Sequence, residues 1–274
     1  MPSQSDTKLQ VLIVSYGDRI RALIDTTLPK VEGVGYIISC QDPDNRLEGI
    51  DLRPLMQRPD IDLRIYRDRG ISNNRNHAFD AASAPYLLLA DDDLIFIPQG
   101  LRAIIDAFER NAGTDVILLK ADVPTSVRQF PPGECDLPST WPRHHAISFE
   151  IAVRRSSMLK AGLRFSPLAG IGAPRLGAGE EELFIHRARR RGLNVRYIPI
   201  THAVHPGPTT SVHSARSAAV LRSKGTVITA TRGPLTALTR FPVEAVRSKA
   251  PFFKALWCYL DGMVYYYTHR GQLI

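Results

Sequence analysis

Short apolar runs alternate with stretches whose apolar positions recur every three or four residues through the first half of the chain. LQVLIVS (Leu9 to Ser15) is continuous enough for a buried strand, and Ile20, Leu23, Ile24 and Leu28 then keep a helical spacing. VGYIISC (Val34 to Cys40) predicts a second strand, DLRIYR (Asp62 to Arg67) a third and PYLLLA (Pro85 to Ala90) a fourth, with a helix over Asn73 to Ala82. A helix at Leu101 to Phe108 and a strand at Val116 to Leu119 continue the alternation. Strands separated by helices predict right-handed βαβ units and a parallel sheet covered on both faces. Pro124 to Pro142 is proline-rich and reads as a surface loop. A strand over Ala146 to Val153, a helix over Glu180 to Arg191 and a strand over Asn194 to Ile198 follow. From about Ser211 the pattern is helical, broken at Gly225, Gly233, Pro234 and Pro242. The expected organisation is a main α/β domain over 1–210 and a helical C-terminal extension over 211–274.

Composition narrows the class. The 274 residues suit one large domain or a domain with an appendage. No apolar run approaches the ~20 residues of a membrane span. The start, MPSQSDTK, lacks a signal peptide's apolar core. Cys40, Cys135 and Cys258 are odd in number and far apart, which disfavours a disulfide framework or zinc ribbon. The expectation is a soluble cytoplasmic protein. The formal charge of +8 admits nucleic acid, an anionic membrane surface or a polyanionic substrate. Arg187, Arg189, Arg190 and Arg191 cluster where Gly192 ends a helix, and there they offset the helix dipole.

The chemistry concentrates in YLLLADDDLIFIP, Tyr86 to Pro98. In an open parallel sheet, ligands bind in the crevice at the carboxyl ends of the strands. Asp91, Asp92 and Asp93 stand at such an end and repel one another unless cations share the space; hard divalent cations take oxygen ligands. Capping of the helix near Pro98 would account for one aspartate and leave two without a partner.

Upstream, RDRGISNNRNHAFDAASAPYLLLADDD (Arg67 to Asp93) sets a glycine, a serine and an Arg-Asn pair before a small-residue helix, an apolar strand and the acids. This order resembles the nucleotide-sugar-binding half of family 2 glycosyltransferases of the GT-A fold. Their pattern there is G-x-S-x-x-R-N, helix, strand and Asp-x-Asp; Gly70, Ser72, Arg75, Asn76, Asp91 and Asp93 fit it. VLIVSYGDR resembles the family's first strand and turn, with Ser15 and Tyr16 in the matching places and Gly17 where the family usually has Asn. SCQDPDN matches the family's Asp-rich segment loosely and offers Gln41 or Asp42 as a contact to the base. AVRRSSMLKAGLRFSP (Ala152 to Pro167) looks like the arginine-containing strand and helix before the acceptor site. Phe165, Ser166 and Pro167 replace the frequent Phe-Asp-Glu there, so acceptor contacts do not carry over. GAGEEELFIHRARRRGLNVRYIPITHAVHP (Gly177 to Pro206) is similar to the block G-E-D-x-x-(L/F)-x-x-R…G…Y-x-P…H. Registering on Arg187 puts Glu180 on the family's Glu and Glu181 on its catalytic Asp, with either carboxylate open as the base. His205, rather than His202, falls on the family's histidine, often a metal ligand. Three glutamates in a first turn also suit the helix dipole without any catalysis.

Over roughly Leu9 to Pro206 the resemblance implies an α/β, GT-A (Rossmann-like), mostly parallel sheet flanked by helices. Its nucleotide-sugar half is about 1–122 and its acceptor half about 123–210. It implies donor contacts from Ser15, Tyr16, Gln41, Asp42, Ser72, Arg75, Asn76, Asp91 and Asp92, with Asn76 also supporting the loop. Mn2+ or Mg2+ would be held by Asp93 with His205, Asp91 reaching toward the metal or the ribose. Glu181 would take the proton of an acceptor hydroxyl as it attacks the anomeric carbon, with inversion. UDP is the commonest base of the family's donors. A glycan or lipid-linked acceptor fits, as in surface-polysaccharide assembly.

Two rivals fare worse. A nucleotidyltransferase usually has a glycine-rich basic loop after the first strand, where this chain has SYGDRIRA. A nucleic-acid-binding protein explains +8 but sets two acidic clusters against phosphates. In PFFKALWCYLDGMVYYY (Pro251 to Tyr267), Phe253, Leu256, Leu260, Val264 and Tyr267 keep helical spacing. That predicts either a helix docked on the main domain or on a second copy, or an interfacial helix meeting an anionic membrane, the protein then being peripheral at its inner face.

Overall fold

The computed structural model describes residues 6–26, 28–123, 130–136, 147–207 and 217–274. The described strands are β1 (Leu9–Tyr16), β2 (Val34–Gln41), β3 (Ile61–Tyr66), β4 (Tyr86–Asp91), β5 (Ile95–Phe96), β6 (Val116–Asp122), β7 (Cys135–Asp136), β8 (Ile151–Arg154) and β9 (Val195–Val204). The helices are α1 (Arg21–Asp25), α2 (Arg53–Met56), α3 (Ile71–Ala81), α4 (Pro98–Arg110), α5 (Arg155–Lys160), α6 (Glu180–Arg190), α7 (Ala218–Arg232), α8 (Pro234–Ser248) and α9 (Phe252–Leu273).

One sheet runs in the order β3-β2-β1-β4-β8-β6-β9-β5, with β7 beside β9. The first four strands are parallel. In the second half β6 and β9 pair parallel and run in the same direction as β1 to β4, whereas β8 lies antiparallel between β4 and β6, and β5 and β7 run antiparallel to β9; the sheet is mostly parallel with three antiparallel strands. Alternate residues of β1 enter opposite cores, as the period of two requires. Val11 and Ile13 share one core with Leu101, Ile104 and Phe108 of α4, whereas Leu12 shares the other with Phe79 of α3 and Phe184 of α6.

Several boundaries differ from those the sequence predicts. The helix expected after β1 is a 3-10 turn at Gly17–Ile20 followed by the short α1. The strand expected over Ala146 to Val153 is a 3-10 turn at Ser148–Glu150 and then β8; Ala146 lies outside the described residues. Within the proline-rich stretch, 130–136 includes β7, and the remainder of Pro124 to Pro142 lies outside the described residues, as does Ser211. β9 runs well past Ile198, through Pro199, because bulges against β6 between Leu118 and Asp122 absorb the missing donor. That extension brings Val204 opposite Ile95 and delivers the following histidine to the acidic turn.

The C-terminal helices form their own core around Tyr259, Phe241 and Leu221. Backbone meets backbone where α7 crosses α9. A Cβ on Gly225 would overlap the carbonyl oxygen of Tyr259, and one on Gly262 would overlap that of Arg222. Tyr265, Tyr266 and Leu273 of α9 pack with Ala169, Leu176 and Leu183 in front of α6. Among the described residues no helix is long and apolar enough to cross a membrane.

Candidate active site

The three aspartates lie at the carboxyl end of β4, beside the carboxyl end of β1, and the structure gives each a different place. Asp92 turns inward and is 3% exposed. Ser15 Oγ donates to its Oδ2 at 2.7 Å, and Arg19, in the turn after β1, grips it through Nε and Nη2. The hydroxyl of Ser15 and the carboxylate of Asp92, both expected to touch the donor, therefore close the β1–β4 junction from inside. Arg19, which no sequence motif marks, is the cation that relieves part of the triplet's repulsion.

Asp93 faces the cleft. Its Oδ2 lies 3.3 Å from Arg19 Nη2. Its Oδ1 is buried without a hydrogen bond and lies 3.5 Å from Nε2 of His205. The other ring nitrogen, Nδ1, is 2.7 Å from the carbonyl oxygen of Gly207, an acceptor only, so Nδ1 carries the proton and donates. Phe149 stacks on the imidazole at 5.5 Å and holds its plane. In the neutral ring the Nε2 lone pair then faces a carboxylate oxygen, two acceptors with no donor between them. A cation fits that arrangement. Among the described residues no three His, Cys, Asp or Glu are grouped to hold a metal ion; Asp93 and His205 form a pair. His202, by contrast, is 0% exposed in β9, and burial lowers its imidazole to about 4.

Asp91 accepts from Ser148 Oγ at 3.2 Å and lies 3.8 Å from Nη2 of Arg75. Burial pushes its carboxyl up, against the pull of Arg75. Arg75 is buried on α3, its guanidinium over the Phe165 ring at 5.2 Å. Its Nη1 reaches Glu180 Oε1 at 3.1 Å and Glu181 Oε1 at 3.3 Å. Burial alone would weaken its charge, but Glu181, Glu180 and Asp91 outweigh that and raise its pKa. Arg75 thus bridges the aspartate rim and the glutamate rim from the floor of the cleft.

The glutamate rim begins at Gly179, whose φ of 89° is left-handed and suits glycine. A Cβ there would also run into the Val227 side chain of α7. Glu180 is buried against Arg75; Glu181 has the more open side chain, 16% exposed against 7%. Burial pushes the Glu181 carboxyl well above the usual range, Glu180 and Glu182 add to this, and Arg75 opposes it.

The remaining predicted donor contacts frame the cleft unequally. Tyr16 stands at an exposed rim, its hydroxyl donating to Asp44 at 3.0 Å and accepting from Arg69. Gln41 is buried and donates to Asp68 at 2.9 Å; Asp42 is buried and accepts the backbone N–H of Arg46 at 2.7 Å, capping the turn after β2. Ser72 donates to the Ala169 carbonyl at 2.7 Å, and Asn76 exchanges two 3.0 Å bonds with the Phe165 backbone. These braces tie α3 to the segment before α6. Asn74, unmarked in the sequence reading, does the same for β1 and β2 through the Ser15 carbonyl and Ser39 Oγ.

Residues 52–159, from α2 to α5, match the family described as glycosyl transferase family 2. No curated protein matches the sequence. Among solved structures, S. aureus TarS 1-349 aligns over 96% of this chain and 72% of its own, at 14% identity and a TM-score of 0.54. Its complex with UDP aligns at 13% identity and 0.57, over the same shares. The complex with UDP-GlcNAc aligns at 15% identity and 0.56, over 96% of this chain and 73% of that one. These identities speak for a shared fold. The segment that matches the family holds Arg75 and all three aspartates, and the chain around it has the GT-A-like fold of those structures.

Proposed function

We propose that the protein transfers a sugar, with metal assistance and inversion, from a UDP-sugar to a hydroxyl of a glycan or lipid-linked acceptor. The observation that carries this reading is the approach of His205 Nε2 to Asp93 Oδ1, a buried oxygen without a hydrogen bond, beside Asp91, which Arg75 links to Glu181. Among the described residues, Asp91, Asp92, Asp93, Glu180 and Glu181 are paired with Arg19, Arg75 and, at Asp93, His205, so acid exceeds base among them even with Glu181 protonated. A diphosphate entering alone would be repelled. Mn2+ or Mg2+ held by Asp93 and His205 would offset that charge and the charge that develops on the leaving diphosphate.

The chain's own residues do the rest. Glu181, raised in pKa and the more open of the two glutamates, accepts the proton of the attacking hydroxyl. Arg75 holds the base and Asp91 at fixed separation. A single base with attack opposite the leaving group gives inversion. UDP is favoured because TarS, of like fold, is solved with UDP and UDP-GlcNAc. A lipid-linked acceptor of surface-polysaccharide assembly would set the protein at the inner face of a membrane.

Hydrolysis of a panel of nucleotide sugars, with and without manganese, tests the reading without knowledge of the acceptor. Metal-dependent release of UDP from one sugar is expected, lost in Glu181→Gln while calorimetric UDP binding persists. No hydrolysis of any donor, or full activity in Glu181→Gln, would overturn it.

A further inference from the structure

The outer face of α9 leaves an apolar stripe in water. Phe253, Trp257, Leu260, Val264 and Tyr267 follow at intervals of four, three, four and three residues, which sets them on one face of the helix. They are 82%, 71%, 37%, 62% and 54% exposed. At 1.5 Å per residue the stripe is about 21 Å long. The neighbouring α8 also exposes Leu235 at 78% and Val246 at 79%. The inward face of α9 is already occupied by Tyr259, Gly262 and Met263 against α7, so the stripe is surplus to the helical core.

Charge around the stripe has one sign. Arg247, Lys249, Lys254 and Arg270 are exposed. The only acids in 234–274 are Glu244 and Asp261. Glu244 is buried beside Arg240 and Arg247; Asp261 is held by Arg175 and Arg222. Exposed aromatic and aliphatic side chains flanked by exposed cations, with both acids of 234–274 paired, complement an anionic bilayer surface. A two-fold contact with a second copy would instead bring these cations together.

We propose that the α8–α9 hairpin is an interfacial docking surface for an anionic lipid bilayer, with α9 lying in the headgroup plane and its stripe inserted. This deepens the lipid-linked-acceptor reading above, and it is measured without turnover. The full-length chain is co-sedimented with vesicles of phosphatidylcholine plus phosphatidylglycerol and with phosphatidylcholine alone. Sedimentation with the anionic vesicles is expected, at least about tenfold weaker in Phe253→Ser/Trp257→Ser and in Lys249→Glu/Lys254→Glu. Both pairs are exposed, so unchanged melting curves are expected to confirm their folding. Glu181→Gln should sediment like the wild type, which separates this proposal from the transfer reading. Wild-type protein remaining in the supernatant with both vesicles would overturn it. So would binding at the wild-type level by either double variant, or a wild-type dimer in sedimentation velocity that Phe253→Ser/Trp257→Ser dissociates.

Discussion

Replacing Arg75 by methionine keeps most of the side chain's apolar bulk over Phe165 and deletes the charge between three carboxylates. At 3.1 to 3.3 Å from Glu180 and Glu181, each Coulomb contact is worth about 5 kcal/mol at an effective dielectric of 20, opposed by the desolvation of all partners. The net worth of the cluster is therefore small, but removing one member leaves buried acids uncompensated. That imbalance costs roughly 3–5 kcal/mol. For a chain of this size it corresponds to a melting temperature lower by roughly 6–20 °C near neutral pH. The sign of the pH dependence follows from Glu181. Its folded pKa is already above the unfolded value, so the folded state binds the extra proton and stability falls as pH rises through the folded pKa. Without Arg75 that pKa rises further, and the loss of stability steepens. Thermal melts of both proteins at pH 5 and pH 7.5 should show the larger deficit at the higher pH. An equal deficit at both, or one under about 1 kcal/mol, would refute the placement of Arg75 among ionised acids.

Three further outcomes are expected. The rising limb of kcat/KM against pH should lie above the ordinary glutamate range, because Glu181 must be deprotonated to act and burial raises its pKa; a limb at the usual carboxylate position removes Glu181 as the base. Asp93→Ala and His205→Ala should each weaken manganese-dependent UDP binding by roughly 10–100-fold in calorimetry, and equal binding would remove the pair as the cation's holders. Gly225→Ala should cost about 1–3 kcal/mol in denaturant melts by forcing a methyl into the Tyr259 carbonyl. Gly271→Ala, facing open space on α9, should be neutral or stabilise by about 0.5–1 kcal/mol; equal effects would mean that the helices are not in backbone contact.

How much of this was legible depends on where burial writes a pattern. β1, β2 and β4 are covered on both faces and appear as unbroken apolar runs. β8 has four residues and β5 and β7 two each, too few for any period, so the antiparallel wedge between β4 and β6 has no signature. Proline at 199 hides the second half of β9, and only counting along the resemblance points to His205 over His202. In the sequence the aspartates are three equal letters. The strand ends at Asp91 and the other two lie in the turn, so no period sorts them, and nothing local announces that Arg19, seventy-three positions away, grips the middle one. Ser72 and Asn76 carry the polarity expected of ligand contacts. Their partners, Ala169 and Phe165, are brought near only by the tertiary fold.

The crossing of α7 and α9 has a mechanical corollary. Side chains that interdigitate can slip past one another by changing rotamers; main chains in direct contact at Gly225 and Gly262 have no such slack. Thr226 bonds the Gly262 carbonyl at the same crossing, and α7 in turn seats Gly177 on Ala219, the Ala178 amide on Ser223 and Gly179 on Val227. The next residue is Glu180. A force applied to the outer surface of the last helix is thus relayed through stiff joints to the wall that carries Glu180 and Glu181, and the two ends of that linkage move as one piece.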